Sequence, residues 1–461
     1  MAMISRDLLA QEETWDPQMF CGSILRILRL ESEQFVTVAG AAVFEGQRWD
    51  DLGASDEPGY RMSNVDCLEM RLTPDLCRSP AIESRYCVEP GDLVMTKMAP
   101  IRAALATPNL FRHPVDANLC LVRGLDVPQG FWVALCLNQR AFGDYLVRKS
   151  GAAVVPRIRA DVLKSVRFPR PPAIVERLSH QVYECIEQRL QLQIEFDRFL
   201  AAVHEEIAAQ MPESSDVHAE EDPLTTWYRR FPSDDIDDSL VPEHVAINGY
   251  QHRLAREAGW RSIRDFTTQR SAAATRFADD NHSVRTLQLS DVEGDLTVLR
   301  GHVRVVAAMR RVYAEALQDD EVLLSSLVSR PRVAFVGARP DQPIYPTDHW
   351  HRLRFRETPG AWAAIVNDTE IHHQLARLAI GSLQQFAPAW AIQKLVLPNV
   401  QLEIRRKWDS FLRRWQQRRV ELEADWSRLM AESYHALQET HRQCGNWSEP
   451  MAGSPDEEHE S

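Results

Sequence analysis

The sequence predicts an α+β protein: two duplicated mixed α/β domains separated by an antiparallel pair of long coiled-coil helices. Three observations predict it. Short sequence blocks recur at a period of about 229 residues, half of the 461-residue chain. Each copy is followed by about 40 residues without an internal Gly or Pro, with apolar residues at three-and-four spacing. Between the copies lies a segment rich in Glu, Asp, Ser and Pro, the composition of a solvated linker.

The blocks come in one order in both copies. Tyr60-Arg-Met-Ser-Asn-Val-Asp66 is echoed by Leu287-Gln-Leu-Ser-Asp-Val-Glu293. Pro90-Gly-Asp-Leu-Val-Met-Thr-Lys97 is echoed by Gln318-Asp-Asp-Glu-Val-Leu-Leu-Ser325, in each case an acidic turn and then an apolar strand. Ser150-Gly151 has its counterpart in Gly381-Ser382, and Leu163-Lys-Ser-Val-Arg-Phe-Pro169 in Ile392-Gln-Lys-Leu-Val-Leu-Pro398, a strand stopped by proline. Helical patterns are expected at Phe131–Val147 and Trp362–Ile380.

The first long helix is expected over 172–210, with Ile174, Leu178, Val182, Ile186, Leu190, Ile194, Leu200, Val203 and Ile207 as its stripe. The second is expected over 400–441, where Trp408, Trp415, Leu422 and Leu429 stand seven apart. Neither helix can bury its stripe alone, so the pair is expected to lie antiparallel; a helical bundle or a homodimeric coiled coil is the alternative. The full division reads 1–19 N-terminal segment, 20–171 first domain, 172–210 helix, 211–244 acidic linker, 245–399 second domain, 400–441 helix and 442–461 disordered acidic tail.

Composition bounds the function. Hydrophobic residues make 44% and charged residues 26%, enough for a real core in each domain. No apolar run reaches the roughly 18 residues of a membrane span, and no secretory signal opens the chain. The eight cysteines show no C-x-x-C pair and sit mostly in apolar segments, as reduced thiols of a cytoplasmic protein would. A net charge of −13 argues against nucleic acid at first sight. Yet segments 1–16, 211–244 and 441–461 together hold about −15, which leaves the body neutral or slightly positive.

The order of elements resembles the specificity subunits of type I restriction–modification systems, which carry two target-recognition domains and two long spacer helices. The motifs that carry the resemblance are Gly91-Asp92-Leu93-Val94, Leu135-Cys-Leu-Asn138, Ser150-Gly151 and Val166-Arg-Phe-Pro-Arg-Pro-Pro172. Two features depart from the family: Gln181 lies late after the Pro-Pro pair, and the second copy has Pro398-Asn399-Val400 in its place. The resemblance implies a chain without catalysis that reads a bipartite double-stranded DNA target. It implies two partner DNA methyltransferase subunits, which bind S-adenosylmethionine and modify adenine, and in some systems a translocating nuclease. No cofactor is expected on this chain. A structural adaptor of an anti-phage defence complex is the other reading.

Chemistry of the chain's own is not encoded in any recognisable motif. There is no G-x-x-x-x-G-K-[ST] loop and no Asn-Pro-Pro-Tyr type motif. Phe335-Val-Gly-Ala-Arg339 lacks the second glycine of a cofactor loop, and Gly91-Asp92 with Lys97 is too loose for a nuclease. Asp368, Glu370, His372 and His373 suggest a metal cluster, but adjacent histidines on a helix point about 100° apart, so no metal is expected. Candidate DNA contacts are the donors that suit guanine, adenine or phosphate. In the first domain they are Lys97, Arg102, Arg148, Lys149, Arg157 and Arg159; in the second, Arg330, Arg332, Arg339 and Arg377. Arg352, Arg354 and Arg356 alternate and are expected to form one phosphate-facing stripe. Trp408, Trp415 and Trp426 are large for a two-helix seam and are candidates for docking the methyltransferase, with interhelical core as the plainer role.

Overall fold

The computed structural model describes residues 35–46, 59–71, 84–110, 112–150, 157–212, 242–268, 275–277, 284–292, 296, 305–306, 311–329, 331–338, 340, 342–380 and 385–443. The N-terminal segment 1–19, most of the expected linker and the expected tail beyond Gln443 lie outside the described residues. The chain divides into two compact units, Met1–Gln193 with Arg419–Ser461, and Ile194–Arg418. Each unit therefore holds one copy of the repeat together with half of each long helix, so the helices do not form a body of their own.

The first unit runs β1 (Phe35–Val36), β2 (Ala42–Glu45), β3 (Leu93–Thr96), β4 (Ala103–Leu105), β5 (Leu119–Arg123), α1 (Val127–Leu137), α2 (Arg140–Lys149), α3 (Ala160–Lys164), β6 (Phe168–Pro169) and into α4 (Ile174–Ala208). Its main sheet is antiparallel in the order β2-β5-β3-β4. Strand β3 is flanked on both sides, and all four of its residues are buried, which is why it is apolar without alternation. Helix α1 is apolar all round and buried from Gly130 to Leu137, as a core helix must be. It starts where the Asp126 side chain accepts from Gln129 N at 2.8 Å, and ends at Asn138. The Asn138 side-chain amide then bonds both Ala103 N (3.0 Å) and Ala103 O (2.8 Å), which ties α1 to β4. Trp132 donates its indole N–H to Pro169 O, which tethers α1 to β6, and β6 pairs with β1 antiparallel.

The second unit begins its own elements with α5 (Pro242–Glu257), inside the stretch expected to be linker to 244; a proline suits a first helical turn because it lacks the N–H that would be left over. There follow β7 (Arg261–Ser262), α6 (Ile263–Phe266), β8 (Thr275–Phe277), β9 (Val284–Leu287), β10 (Val305–Val306), β11 (Arg311–Tyr313), β12 (Glu321–Ser325), β13 (Val333–Val336), β14 (Tyr345–Pro346), β15 (Trp350–Arg354), α7 (Pro359–Val366), α8 (Thr369–Leu378), α9 (Ala389–Lys394), β16 (Val396–Leu397) and α10 (Leu402–Gln443). The central sheet is β13-β12-β15, again with a fully buried middle strand. Strand β16 pairs antiparallel with β7, as β6 does with β1.

Equivalent contacts recur within the two units at the offset read from the sequence. Arg61 N donates to the Asn64 side chain at 2.8 Å, and Gln288 N to that of Asp291 at 2.7 Å. Leu68 and Leu296 both take positive φ (64° and 61°), as do Gly91 and Asp320 (89° and 63°). Asp92 accepts from Glu89 N, and Glu321 from Gln318 N. Strand β12 carries that acid, Glu321, at 0% side-chain exposure between Arg352 and Arg354, while in the first unit Asp92 is gripped by Arg123. A buried carboxylate is tolerated only with such partners.

The long helices pair antiparallel inside each unit. In the first, Arg177 meets Glu432 at 3.3 Å and Arg189 meets Glu423 at 2.8 Å; in the second, Phe196 packs on Trp415 and Phe199 on Phe411, with ring centroids 4.4 and 4.5 Å apart. The seam of α4 is Leu178, Cys185, Leu192 and Phe199, seven apart, with Val182, Phe196 and Val203 on a second seven-residue register that passes through Arg189. Of the expected stripe, Ile194 and Leu200 are only half-buried and Ile174 is exposed. In α10 the heptad of Trp415, Leu422 and Leu429 is buried as the sequence indicated.

Candidate nucleic-acid interface

The candidate residues of the first unit gather where β3 ends. Thr96 N donates to Arg102 O, and Thr96 Oγ1 accepts from Arg102 N, both at 2.9 Å; the hydroxyl donates in turn to Pro100 O at 3.0 Å. Lys97 N then donates to Asn118 O at 2.7 Å, and Lys97 O accepts from Ile158 N at 2.9 Å. Three segments remote in sequence, 97–102, 116–118 and 157–160, are thus latched onto one strand end.

The second unit builds the same latch. Ser325 N donates to Arg332 O (2.8 Å), Ser325 Oγ accepts from Arg332 N (2.9 Å) and donates to Leu327 O (3.0 Å). Ser326 N donates to His349 O (2.7 Å), and Ser326 O accepts from Ala387 N (2.8 Å). Only a residue with a hydroxyl at Cβ fits the position of Thr96 and Ser325, since it must accept one bond and donate another. That requirement was not singled out in the sequence, although both residues stand at the repeat offset.

On this shared frame the side chains differ. Arg102 and Arg157 are exposed and form no ion pair among the described residues, whereas Arg159 is exposed and paired with Asp161. Lys97 departs from expectation: its ammonium lies inside, 7% exposed, on the Glu45 carboxylate. Burial pushes Glu45 upward, but Lys97 and the Ala160 N–H outweigh it and hold the acid below its ordinary value. This pair supports the 157–160 segment from beneath and keeps the Lys97 ammonium away from solvent. Asp116, beside Arg61 and Arg157, is raised by burial, which those two guanidiniums only partly offset. Asn118, on the same turn, keeps its Oδ1 buried without a hydrogen-bond partner among the described residues. Lys149 donates to Tyr145 Oη at 3.2 Å and lies over its ring. The side chain of Arg148 and all of Gly151 lie outside the described residues.

In the second unit the positions that match Lys97, Arg157 and Arg159 are Ser326, Phe386 and Pro388. Arg332 is half-buried, and Arg377 donates to His373 Nε2 at 2.9 Å. Arg330, Arg339 and the Gly381-Ser382 block lie outside the described residues. The expected stripe of Arg352, Arg354 and Arg356 is corrected. Arg352 and Arg354 do share a face of β15, but that face is turned onto Glu321, with Nη2 of Arg352 2.7 Å from both carboxylate oxygens and its side chain 4% exposed. Arg356 follows the strand and is exposed.

The tryptophans are also placed. Trp415 is 3% exposed inside the helix seam, so it serves interhelical packing and has no free face for a partner. Trp408 sits edge-on to Phe199 and is half-buried; Trp426, also half-buried, lies under the Arg189 guanidinium at 5.0 Å.

The cluster at Asp368 and Glu370 is structural. Asp368 caps α8 by accepting from Glu370 N (2.8 Å) and meets His204 Nδ1 at 2.9 Å, while Glu370 accepts from Tyr250 Oη at 2.7 Å. Asp368, Glu370, His204 and His373 line a cavity of about 480 Å³ whose lining does not include His372. Burial holds the His372 imidazole down at about 4. Among the described residues no group of three His, Cys, Asp or Glu side chains is placed to hold a metal ion, and no described helix is long and apolar enough to cross a membrane.

No protein-family model and no curated protein sequence matches the chain. Among solved structures it is similar to the type I restriction–modification S subunit from M. genitalium, at 9% identity over 89% of this chain and 97% of that one, with a TM-score of 0.37. It is similar to the HsdS subunit from Thermoanaerobacter tengcongensis at 15% identity over 89% and 96%, TM-score 0.26. A chain from a structure of type I restriction–modification complex assembly and conformational transition stands at 12% identity over 89% and 96%, TM-score 0.27.

Proposed function

We propose that this chain is a non-catalytic specificity subunit that reads a bipartite double-stranded DNA target, one short block per copy of the repeat. It directs a partner adenine-type DNA methyltransferase, which brings the S-adenosylmethionine, in restriction–modification or a related anti-phage defence of the cytoplasm. The observation that carries this reading is the pair of equivalent latches whose backbone bonds coincide while their solvent-facing side chains do not. A constant frame can hold two loops in the same way while a changing set of Arg, Asn and apolar side chains meets different base edges, which is what reading two different base sequences requires. In the first copy Arg102 and Arg157 carry the contacts; Arg352, bound to Glu321, serves the fold instead.

Single-molecule sequencing of methylated bases in the parent strain, with and without this chain deleted, tests the proposal. Loss of methylation at one motif of two short blocks around a fixed gap is the expected result. An unchanged methylome would overturn it and favour the adaptor reading.

A further inference from the structure

The half of α10 in the second unit, Leu402–Arg418, holds six basic residues against two acids. Three of the six serve the fold. Arg405 donates to Val400 O and Thr358 Oγ1 and lies over the Trp362 ring. Arg413 binds Asp409, Asp320 and Gly337 O, and Arg418 meets Glu195. The other three, Arg406, Lys407 and Arg414, are exposed and have no acidic partner among the described residues.

We infer that Arg406, Lys407 and Arg414 form a phosphate-binding stripe on the solvent face of α10, a sequence-independent nucleic-acid contact separate from the latch surfaces. The inference rests on the DNA-reading function proposed above. Lys407 and Arg414 are two helical turns apart, about 10.5 Å along the axis, which spans about three steps of a duplex that rises 3.4 Å per base pair. The remaining exposed side chains of this face, Glu403, Ser410, Gln417 and Arg418, are polar, and no large exposed hydrophobic lies between 402 and 418. Protein interfaces draw their energy from aromatic and aliphatic anchors and disfavour lysine at the centre. A surface with cations and no anchor suits a polyanion bound by charge and N–H donors alone.

The test is binding of the full-length protein and its Arg406→Gln/Lys407→Gln/Arg414→Gln variant to a 40-base-pair duplex of random sequence, by fluorescence anisotropy from 50 to 200 mM salt. Each phosphate contact contributes about −0.9 to the logarithmic salt slope, so three contacts make the wild-type affinity fall by roughly 40-fold more than the variant's over that range. The loss should be equal for unrelated duplexes, with helix content and thermal unfolding unchanged. Equal salt slopes for the two proteins overturn the stripe alone. A wild type that binds no duplex at any salt overturns the DNA-reading function, and the stripe with it. Loss of binding to poly-glutamate but not to duplex identifies an acidic polypeptide as the partner and also overturns it.

Discussion

Replacing Arg352 by Met separates its role in the fold from a role on DNA. The Glu321 carboxylate is fully buried and accepts 2.7 Å bonds from Arg352 at both oxygens, with Arg354 as a second partner at 3.1 Å. Breaking a buried ion pair from one side costs about 3–5 kcal/mol, because the remaining charge stays out of water without compensation. Arg354 retains part of the compensation, which puts Arg352→Met at the lower end, about 3 kcal/mol. A matched Glu321→Leu/Arg352→Met double variant removes both charges, leaves Arg354 partly solvated, and should recover most of that loss.

Hydrogen exchange of peptides spanning β12 and β15, followed by mass spectrometry, reads the loss where it occurs. A deficit of about 3 kcal/mol lowers protection there about 150-fold, since 1.4 kcal/mol is a factor of ten. Binding to duplex DNA at equal fraction folded should be unaltered. Protection within a few-fold of wild type, or a double variant as labile as the single one, would refute the argument that this ion cluster is structural.

Three further outcomes follow. Thr96→Val and Ser325→Ala remove the hydroxyl from each latch and leave the Arg102 or Arg332 N–H short of a partner, at about 1–3 kcal/mol each by urea unfolding; no loss would mean that the latch does not hold the loops. Arg102→Ala or Arg157→Ala should cost about 1–3 kcal/mol of DNA affinity without changing stability, confined to one base position for a base reader and uniform for a phosphate contact; full affinity in both variants would remove these residues from the interface. His372 stays neutral in the fold down to about pH 4, whereas the unfolded chain gains its proton near 6.5. Its stabilising contribution is therefore whole above pH 6.5 and is lost as the pH falls through 4, up to about 3 kcal/mol at 1.36 per pH unit. The pH–stability curve of His372→Gln should be flatter in that window, and an identical curve would rule this out.

The repeat was legible in the sequence because strands at core positions must stay apolar and turns must stay polar, even when identities drift. Asp92 and Glu321, Pro169 and Pro398, and the seam residues Trp415, Leu422 and Leu429 all mark such positions. What escaped was the destination of individual charges. Lys97 and Arg352 look in sequence like any surface cations, yet each neutralises an acid brought to it from elsewhere in the chain, Glu45 from 52 residues away and Glu321 from 31. Periodicity tells which face a residue occupies but not whether that face meets water or a buried carboxylate. The stripe of α4 held at Leu178, Val182, Ile186, Leu190, Val203 and Ile207 and departed at Ile174, Ile194 and Leu200, because the seam follows a seven-residue repeat and turns to Leu192, Phe196 and Phe199.

The two copies differ unevenly, and under the proposed function the pattern bears on what they would read. The ion cluster, the left-handed turn and the hydroxyl latch persist in both copies. The buried Lys97–Glu45 support does not, since Ser326 takes the lysine position, and the residues at the sites of Arg157 and Arg159 are Phe386 and Pro388. Guanidinium side chains favour the N7 and O6 acceptors of guanine, whereas apolar side chains favour the thymine methyl group. If both latches face base edges, the block read by the first copy should be the richer in G·C and the block read by the second should tolerate or prefer A·T beneath Phe386. The two halves of the methylated motif, once sequenced, decide it: a target with identical or palindromic halves would mean that these substitutions do not face the bases.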